Sequence, residues 1–268
     1  MNETVNDSAA EQMWALYASS YDQILLRLPY YTDALARHLK HLDACGAYGS
    51  SETATVLDFG AGTGNMTMRL VERGVPVIAV DQSPGMLAKL TEKLSTQVAQ
   101  HSTDQQADVR VICQTVEQLS ELESESVAAV TCLLVLYAVK DQAAALDEAI
   151  RVLKPGGLLV ITEPTKRFQL QHLLDVGSDH LKQTGEFDSL ADDWARVMDA
   201  NTAFDPSDSN ELDKLDDQND SRDSASCDEN GPIRAEEIEA RMRLDGFTRI
   251  CVESSHLGHC ATVSGFKR

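Results

Sequence analysis

Apolar residues recur along this chain in two patterns, one typical of helices and one typical of short buried strands. From Ala9 to about Ala44 they recur every three or four positions, and Pro29 divides this stretch into two predicted helices. Five β-branched runs then predict strands: Ala54–Phe59, Val75–Val80, Val109–Cys113, Val127–Leu134 and Leu158–Thr162. The helical patterns between them are Met66–Arg73, Met86–Gln97 and Gln142–Leu153. This alternation predicts an α/β fold, because parallel strands need a long crossover between neighbours.

The C-terminal part departs from this rhythm. Two helical patterns, Phe168–Leu181 and Leu190–Met198, follow the fifth predicted strand with no strand between them. A last predicted helix, Ala235–Leu244, is closed by Gly246. Two strand-like runs after it can pair as an antiparallel hairpin at the edge of the sheet: Arg249–Ser254 and Cys260–Phe266.

Charge is distributed unevenly along the chain. There are 43 acidic and 23 basic residues, and the formal charge of −20 disfavours binding to nucleic acid or to anionic lipid surfaces. Residues 205–229 alone carry ten acids against Lys214 and Arg222. This tract has too few apolar residues to offset the entropy of ordering, so it predicts a mobile acidic loop.

Neither the N-terminal residues nor the cysteines carry a targeting or metal-binding signature. The first twenty residues contain acids such as Glu3 and Asp7 where a signal peptide has a basic and then an apolar segment, and the longest apolar stretch, Val127–Val139, is too short to span a bilayer. We therefore expect a cytoplasmic protein without a membrane partner. The six cysteines are scattered, without CxxC pairs or matching histidines, which predicts reduced thiols and no metal site.

The most informative segment joins the first predicted strand to the helix after it. It reads Asp58-Phe59-Gly60-Ala61-Gly62-Thr63-Gly64, and alternating glycines let the backbone turn sharply and approach a ligand beside the amides of a helix start. Asp81 ends the second predicted strand, where a carboxylate accepts hydrogen bonds from ribose hydroxyls. This order of elements predicts a nucleoside-binding site: a strand, a glycine turn, a helix, a second strand and an acid at its end.

Two details indicate the kind of nucleoside. A dinucleotide fingerprint has the form GxGxxG, whereas Asn65 stands where its third glycine would be. A carboxylate at Asp58 suits a ligand with a cationic amine better than a diphosphate. The pattern therefore predicts a ligand that combines adenosine with an amino acid.

On these residues the chain resembles the class I S-adenosylmethionine-dependent methyltransferases of the small-molecule type. The resemblance rests on three motifs in register: the glycine turn after Asp58, the acid that ends Val77–Asp81, and Leu153–Gly157 before the fifth predicted strand. It covers residues 54–164, and residues 233–268 by the order of elements only. It implies a Rossmann-like, doubly wound sheet of seven strands, mostly parallel, with an antiparallel last strand.

The resemblance also implies a cofactor and a division of the chain. The cofactor is S-adenosyl-L-methionine, which leaves as S-adenosyl-L-homocysteine. The implied segments are an N-terminal helical lid (1–50), the S-adenosylmethionine-binding core (51–164), a helical cap insertion (165–203), the acidic mobile loop (204–231), and the last helix with the C-terminal hairpin (232–268).

Cofactor contacts are implied residue by residue. The glycine turn, with Gly60, Ala61, Gly62 and Gly64, would pass under the methionine part, and Asp58 would lie near its amino group. The remaining contacts would run from the ribose to the adenine and along the fourth strand: Asp81 on the ribose; Gln82 and Met86 beside the adenine; Thr115 with Val116, or Glu117 in their place, on the adenine amine; and Leu133 facing the cofactor.

No catalytic residue follows from the resemblance. Methyl transfer from a sulfonium depends mainly on positioning in a site that excludes water, and a hydroxyl acceptor would also need a general base. Candidates on the acceptor side lie in the first helices, at strand ends and in the last turn: Tyr21, Tyr137, Glu163 and His256.

We therefore expect an S-adenosylmethionine-dependent methyltransferase whose partner is a small-molecule acceptor. The alternatives are a non-catalytic S-adenosylmethionine-binding partner subunit, a nucleic-acid or tRNA methyltransferase, and a nicotinamide-binding reductase. The acidic charge disfavours the nucleic-acid enzyme, as does Leu136-Tyr137-Ala138-Val139 after the fourth strand, where an amine-binding Asn-Pro-Pro-Tyr-like motif would stand.

Overall fold

The computed structural model describes residues 17–44, 54–100, 107–202 and 233–268. The helices in these ranges are residues 17–25 (α1), Pro29–Ala44 (α2), Asn65–Val71 (α3), Pro84–Gln100 (α4), Gln142–Val152 (α5), Leu170–Gln183 (α6), Ala191–Thr202 (α7) and Ala235–Leu244 (α8). The strands are Val56–Phe59 (β1), Val77–Asp81 (β2), Val109–Cys113 (β3), Val127–Leu133 (β4), Leu153–Pro164 (β5), Thr248–Ser255 (β6) and Cys260–Phe266 (β7). The acidic tract and the helical pattern before residue 17 lie outside the described residues.

The seven strands form one sheet in the order β3-β2-β1-β4-β5-β7-β6. β1 to β5 are parallel, and β7 is antiparallel to both β5 and β6. The predicted sheet and its terminal hairpin are therefore confirmed. The strand order reverses between β1 and β4, and a reversal of this kind opens a crevice at the carboxyl ends of the two strands.

Helices cover both faces of the sheet. One face packs against α1, α2, α3, α4, α6 and α7 through a cluster that includes Leu35, Leu70 and Trp194. The other face packs against α5 and α8, with Leu146 and Ile238 in its cluster. A strand that is buried on both faces needs apolar residues at successive positions, which explains the continuous apolar runs in the sequence.

A buried polar network fixes α2 to the centre of the sheet. The two ring nitrogens of His38 each lie 2.7 Å from a hydroxyl, that of Thr131 on β4 and that of Thr162 on β5. The Thr162 hydroxyl lies 2.7 Å from that of Thr262 on β7. Burial lowers the pKa of His38 to about 3, so the ring is neutral. Because both ring nitrogens are paired, α2 is held in place without leaving a polar atom of His38 unsatisfied.

The pairing of β4 with β5 is irregular where β5 begins. β5 begins at Leu153, so the stretch Lys154–Gly157, which the sequence places before the fifth strand, lies within it. Val127 pairs with Leu153 and Ala129 pairs with Leu158, so the pairing of β4 with β5 shifts across this stretch.

In the described parts of the chain, no helix is both long enough and apolar enough to cross a membrane. The four cysteines within these parts are free thiols, with Cys113 and Cys251 exposed and Cys132 and Cys260 buried. Among the same residues, no three His, Cys, Asp or Glu side chains are grouped so that they could hold a metal ion.

Candidate functional site

The glycine turn between β1 and α3 is held against β2 by its backbone. The N–H groups of Gly60 and Ala61 donate to the carbonyl oxygen of Val80 at 2.9 and 2.8 Å. Gly62 has a φ of +55°, which L residues rarely adopt, and a Cβ at this position would meet no atom within 4 Å. The turn therefore presents bare backbone to open space at Gly62.

This open space is a cavity over the carboxyl ends of β1, β2, β4 and β5. Its floor is formed by the glycine turn and by the residues that end the other strands, among them Asp81, Leu133 and Pro164. Its roof comes from α1, α2, α6 and α7, which contribute side chains such as Tyr17 and Trp194. The cavity thus occupies the crevice at the reversal of strand order, where open α/β sheets bind their ligands.

Asp81 lies in the cavity wall with both carboxylate oxygens oriented by backbone donors. Oδ2 accepts a hydrogen bond of 2.8 Å from the N–H of Gly62, and Oδ1 accepts one of 2.8 Å from the N–H of Ser83. Burial raises the pKa of Asp81 despite these bonds. Each oxygen keeps a second lone pair, so the carboxylate can accept further hydrogen bonds from a ligand with hydroxyl groups.

Asp58 is the second acid in the cavity wall, at the end of β1. It is 5 % exposed, and it accepts a hydrogen bond of 2.6 Å from the hydroxyl of Thr67 on α3. Burial raises the pKa of Asp58 to about 6. A cationic group placed beside it would stabilise the carboxylate and lower that pKa again.

Aromatic side chains form much of the remaining wall of the cavity. The ring of Tyr21 meets that of Tyr17 edge to face at 4.9 Å, and its hydroxyl lies 3.4 Å from that of Tyr31. Burial raises the pKa values of Tyr21, Tyr31 and Tyr137, so these hydroxyls stay protonated. Phe168 completes this set of rings in the wall. Among the described residues that line the cavity there is no lysine or arginine.

Glu163, at the end of β5, does not line the cavity but fixes one of its walls. Its carboxylate accepts hydrogen bonds from the N–H groups of Val135 and Leu136 at 2.8 and 2.7 Å and from that of Tyr137 at 3.3 Å. Burial raises the pKa of Glu163 to about 7. Ile161, two residues earlier, packs on the face of α5 and α8, so Glu163 points away from the helical roof. Its contribution is to place the turn that carries Tyr137.

His256 stands at the opposite end of the cavity from Asp81. It lies in the turn between β6 and β7 and is 5 % exposed. Its Nδ1 is 3.0 Å from the hydroxyl of Ser255, and its ring packs against that of Tyr30 with centroids 5.4 Å apart. Burial lowers the pKa of His256 to about 4, so the imidazole is neutral at pH 7.

The structure brings most of the residues predicted for the site into one cavity wall. The residues from the predicted cofactor side that line it are Asp58, Gly60, Ala61, Gly62, Asp81, Gln82, Met86, Val116 and Leu133. Tyr21, Tyr137 and His256 line it from the acceptor side.

Gly64 and Thr115 lie outside this lining. A Cβ on Gly64 would come within 2.2 Å of Leu90 Cδ1, so this glycine allows α4 to pack closely. The hydroxyl of Thr115 bonds to the carboxylate of Glu117.

Other lining residues were not singled out from the sequence. Tyr30 and Tyr31 begin α2, and the Tyr31 hydroxyl lies 3.4 Å from Nδ2 of Asn65 on α3. Two tyrosines directly after Pro29 are a weak signal, since helix packing accounts for them equally well. Only the packing of α2 over the sheet places them at the site.

Comparison with known proteins assigns the core of this fold. A family model described as a methyltransferase domain matches residues 57–161, which run from β1 into β5 and include the glycine turn and Asp81. These residues are thus similar to a methyltransferase domain, and the chain shares its fold with solved S-adenosylmethionine-dependent methyltransferases. In this domain, the cavity lies at the carboxyl ends of the strands, where the strand order reverses between β1 and β4.

Curated relatives align with the methyltransferase domain. An uncharacterized methyltransferase of Mycobacterium tuberculosis (strain ATCC 25618 / H37Rv) is 39% identical over 122 residues, 46% of this chain and 44% of the relative. A ubiquinone biosynthesis O-methyltransferase of Alkalilimnicola ehrlichii is 30% identical over 162 residues, 56% and 62% of the two chains. A demethylmenaquinone methyltransferase of Mycobacterium sp. (strain KMS) is 35% identical over 128 residues, 47% and 49%. The chain thus spans about half the length of the curated relatives it matches.

Solved structures share the fold over most of the chain. The PH0226 protein from Pyrococcus horikoshii aligns with a TM-score of 0.56 at 15% identity and covers 94% of this chain and 98% of its own. Magnesium protoporphyrin IX methyltransferase from Synechocystis, solved with bound S-adenosylhomocysteine, aligns with a TM-score of 0.53 at 16% identity, covering 89% and 84%. At this identity the likeness establishes the common fold.

Proposed function

We propose that this protein transfers the methyl group of S-adenosylmethionine to a small, neutral molecule with an apolar aromatic body. The observation that carries the proposal is the division of the cavity wall. One end holds two carboxylates and a bare-backbone turn, and the other end holds aromatic and aliphatic side chains, with no lysine or arginine among the described lining.

The first end of the cavity fits the cofactor. The free lone pairs of Asp81 can accept hydrogen bonds from the two ribose hydroxyls. Asp58 offers a carboxylate to the ammonium group of the amino acid part, and Gly62 leaves free the space that a Cβ would fill. Gln82 and Met86, directly after Asp81 along the wall, would flank the adenine. Bound there, S-adenosylmethionine would supply an electrophilic methyl group on a positively charged sulfur.

The chain's own contribution to the transfer is positioning and the exclusion of water. Tyr17 and Tyr21 from α1 and Trp194 from α7 cover the cavity from above, while the strand ends form a rigid floor. Holding donor and acceptor in line in such a site can supply about 7 to 11 kcal/mol of the barrier. Excluding water also removes it as a competing acceptor.

The second end of the cavity indicates the acceptor. A flat apolar molecule can pack against the rings of Tyr21, Tyr137 and Phe168. An anionic acceptor would need a cation to offset its desolvation, and the described lining offers no lysine or arginine. Two relatives are named for ubiquinone biosynthesis and for demethylmenaquinone, which supports an apolar ring as the acceptor.

Calorimetry with S-adenosylhomocysteine tests the cofactor half of the proposal. We expect the wild-type protein to bind it, and Asp81→Ala to weaken binding by about 1 to 3 kcal/mol through loss of charge-assisted hydrogen bonds. Asp108→Ala is the matched control, since this acid is exposed at the amino end of β3, far from the cavity. Binding of a nicotinamide dinucleotide in place of S-adenosylhomocysteine would contradict the proposal.

Methyl transfer tests the other half. Radiolabelled methyl groups should move from S-adenosylmethionine to members of a panel of phenols and hydroquinones, and not to RNA or DNA. A protein that binds S-adenosylhomocysteine but labels no acceptor, and that copurifies with a stable protein partner, would instead be a non-catalytic binding subunit.

A further inference from the structure

His256 has a buried ring nitrogen without a hydrogen-bond partner. Its Nδ1 is paired with the Ser255 hydroxyl, whereas Nε2 has no partner among the described residues. Buried polar atoms in native proteins are almost always paired, and an exception calls for a reason. Because His256 lines the cavity, a ligand in the cavity is the partner that would satisfy Nε2.

The backbone holds this histidine in a conformation that the fold must enforce. His256 has a φ of 46° and Leu257 a φ of 58°, both in the region that favours glycine. The turn is pinned to the segment after β5, where Thr165 N–H donates to the carbonyl oxygen of His259 at 2.9 Å and His259 Nδ1–H donates to that of Arg167 at 3.1 Å. Strained residues that persist because their surroundings hold them occur preferentially at functional sites.

The position of His256 places it on the acceptor side. It follows β6 and precedes β7, whereas Asp81 ends β2, and four strand spacings separate β2 from β7. At about 4.8 Å per spacing, β2 and β7 are roughly 19 Å apart along the edge of the sheet where Asp81 and His256 lie. His256 is therefore too far from Asp81 to serve the ribose, and it shares the wall with Tyr30 and Phe168.

We propose that His256 is the general base of the transfer and that its Nε2 accepts the proton of a phenolic hydroxyl on the acceptor. This inference rests on the proposed function. The proton passes from the hydroxyl to Nε2 while the oxygen forms its bond to the methyl carbon. The electron pair of the broken carbon–sulfur bond stays on sulfur, and the imidazolium later returns its proton to water.

The hydrogen bond to Ser255 is compatible with the tautomer that this role needs, since a serine hydroxyl can accept from Nδ1–H. When Nδ1–H donates to the Ser255 hydroxyl, the lone pair is on Nε2. The neutral state of the ring keeps that lone pair free at pH 7. The titratable and charged groups that act on it come from α2 and from its own turn: Tyr30, Arg37, His38 and His259.

Nε2 has essentially no exposed surface in this conformation. A ligand therefore reaches it only after neighbouring side chains rotate, and Tyr30 is one whose ring packs directly against it. The acceptor would replace these side chains beside Nε2 and provide the missing hydrogen-bond partner.

The test is the ionisation of a phenol bound beside His256. 4-Nitrophenol, whose phenolate absorbs in the visible, is titrated into the protein saturated with S-adenosylhomocysteine, between about pH 5 and 9. Because the neutral imidazole accepts a hydrogen bond from the phenolic O–H, we expect the wild-type complex to keep the phenol protonated up to a pH at least about one unit above that of free 4-nitrophenol. His256→Asn should abolish this shift, and asparagine tolerates the positive φ. With a turned-over phenol, the same variant should lose kcat about 100-fold or more at similar KM.

Controls separate this role from a structural one. His256→Gln gives a second variant without the imidazole, and His180→Gln on α6 removes a histidine outside the described cavity lining and should keep the wild-type shift. Equal affinity of wild type and His256→Asn for S-adenosylhomocysteine shows that the site is intact. Absence of phenol binding, or an equal shift in wild type and both variants, would overturn the role of His256 alone. Failure to bind S-adenosylhomocysteine would overturn the proposed function and this inference together.

Discussion

Asp22 on α1 accepts a hydrogen bond of 2.7 Å from the hydroxyl of Thr63 in the glycine turn. Its other carboxylate oxygen lies 2.5 Å from Nζ of Lys93 on α4. The same helix supplies Tyr17 and Tyr21 to the cavity wall. α1 is thus tied to the turn for which we propose cofactor binding, so opening of the roof and release of the cofactor should be coupled.

Loss of the Asp22 contacts should speed the release of S-adenosylhomocysteine. We expect Asp22→Ala to raise its dissociation rate about tenfold, because one charge-assisted hydrogen bond and one partly exposed ion pair are removed. Stopped-flow dissociation measures the rate. Asp33→Ala, at an exposed position of α2, is the control and should leave it unchanged. Equal rates for Asp22→Ala and wild type would show that α1 does not retain the ligand.

Gly62 and Gly74 form a matched pair for testing the bare-backbone turn. Both have positive φ, +55° and +71°, and a Cβ at either would meet no atom within 4 Å. Replacing either glycine by alanine should therefore lower the free energy of unfolding by a similar amount, about 1 to 2 kcal/mol, because of backbone strain. Only Gly62 lines the cavity, so only Gly62→Ala should weaken S-adenosylhomocysteine binding in calorimetry. If Gly74→Ala also weakened S-adenosylhomocysteine binding, backbone strain, and not a Cβ that occupies the cavity, would be the cause.

Asp58 should make cofactor binding depend on pH. Its pKa is about 6 in the free protein, and pairing with the ligand ammonium would lower it. Affinity for S-adenosylhomocysteine should therefore be constant above about pH 7 and fall as the pH drops below 6, by up to about tenfold per unit. Asp58→Asn should bind more weakly at pH 7 and lose this dependence. Calorimetry at several pH values is the measurement, and a flat wild-type profile would remove Asp58 from the ammonium site.

Glu163 should make stability depend on pH in the acidic to neutral range. Its pKa is about 7 in the fold against 4.5 ordinarily, so protonation favours the folded state. Its contribution to the free energy of unfolding is largest below pH 4.5 and falls by up to roughly 3 kcal/mol as the pH rises through 7. Urea unfolding of wild type and Glu163→Gln should show this difference, since glutamine does not titrate. Parallel stability profiles for the two proteins would contradict it.

Some features of the site could be read from the sequence because they depend on neighbouring residues. The glycine turn follows a buried strand, and Asp81 ends the next strand, so parallel pairing alone brings both to one sheet edge. Gly64 shows the limit of this reasoning. It belongs to the same motif, but its lack of a side chain serves the contact with Leu90 on α4, which no local pattern reveals.

Periodicity and connection length in the sequence are enough to predict the order of strands and helices along the chain, the antiparallel hairpin and the strand ends that form the cavity floor. The direction of Glu163 depends on the packing of the whole fold, because a strand buried on both faces has no polar alternation that marks its sides. The same packing also decides the meeting of Tyr31 with Asn65 and of Tyr30 with His256. Those contacts join segments far apart in the chain, and only the packing of α2 and the last hairpin around the sheet brings them together.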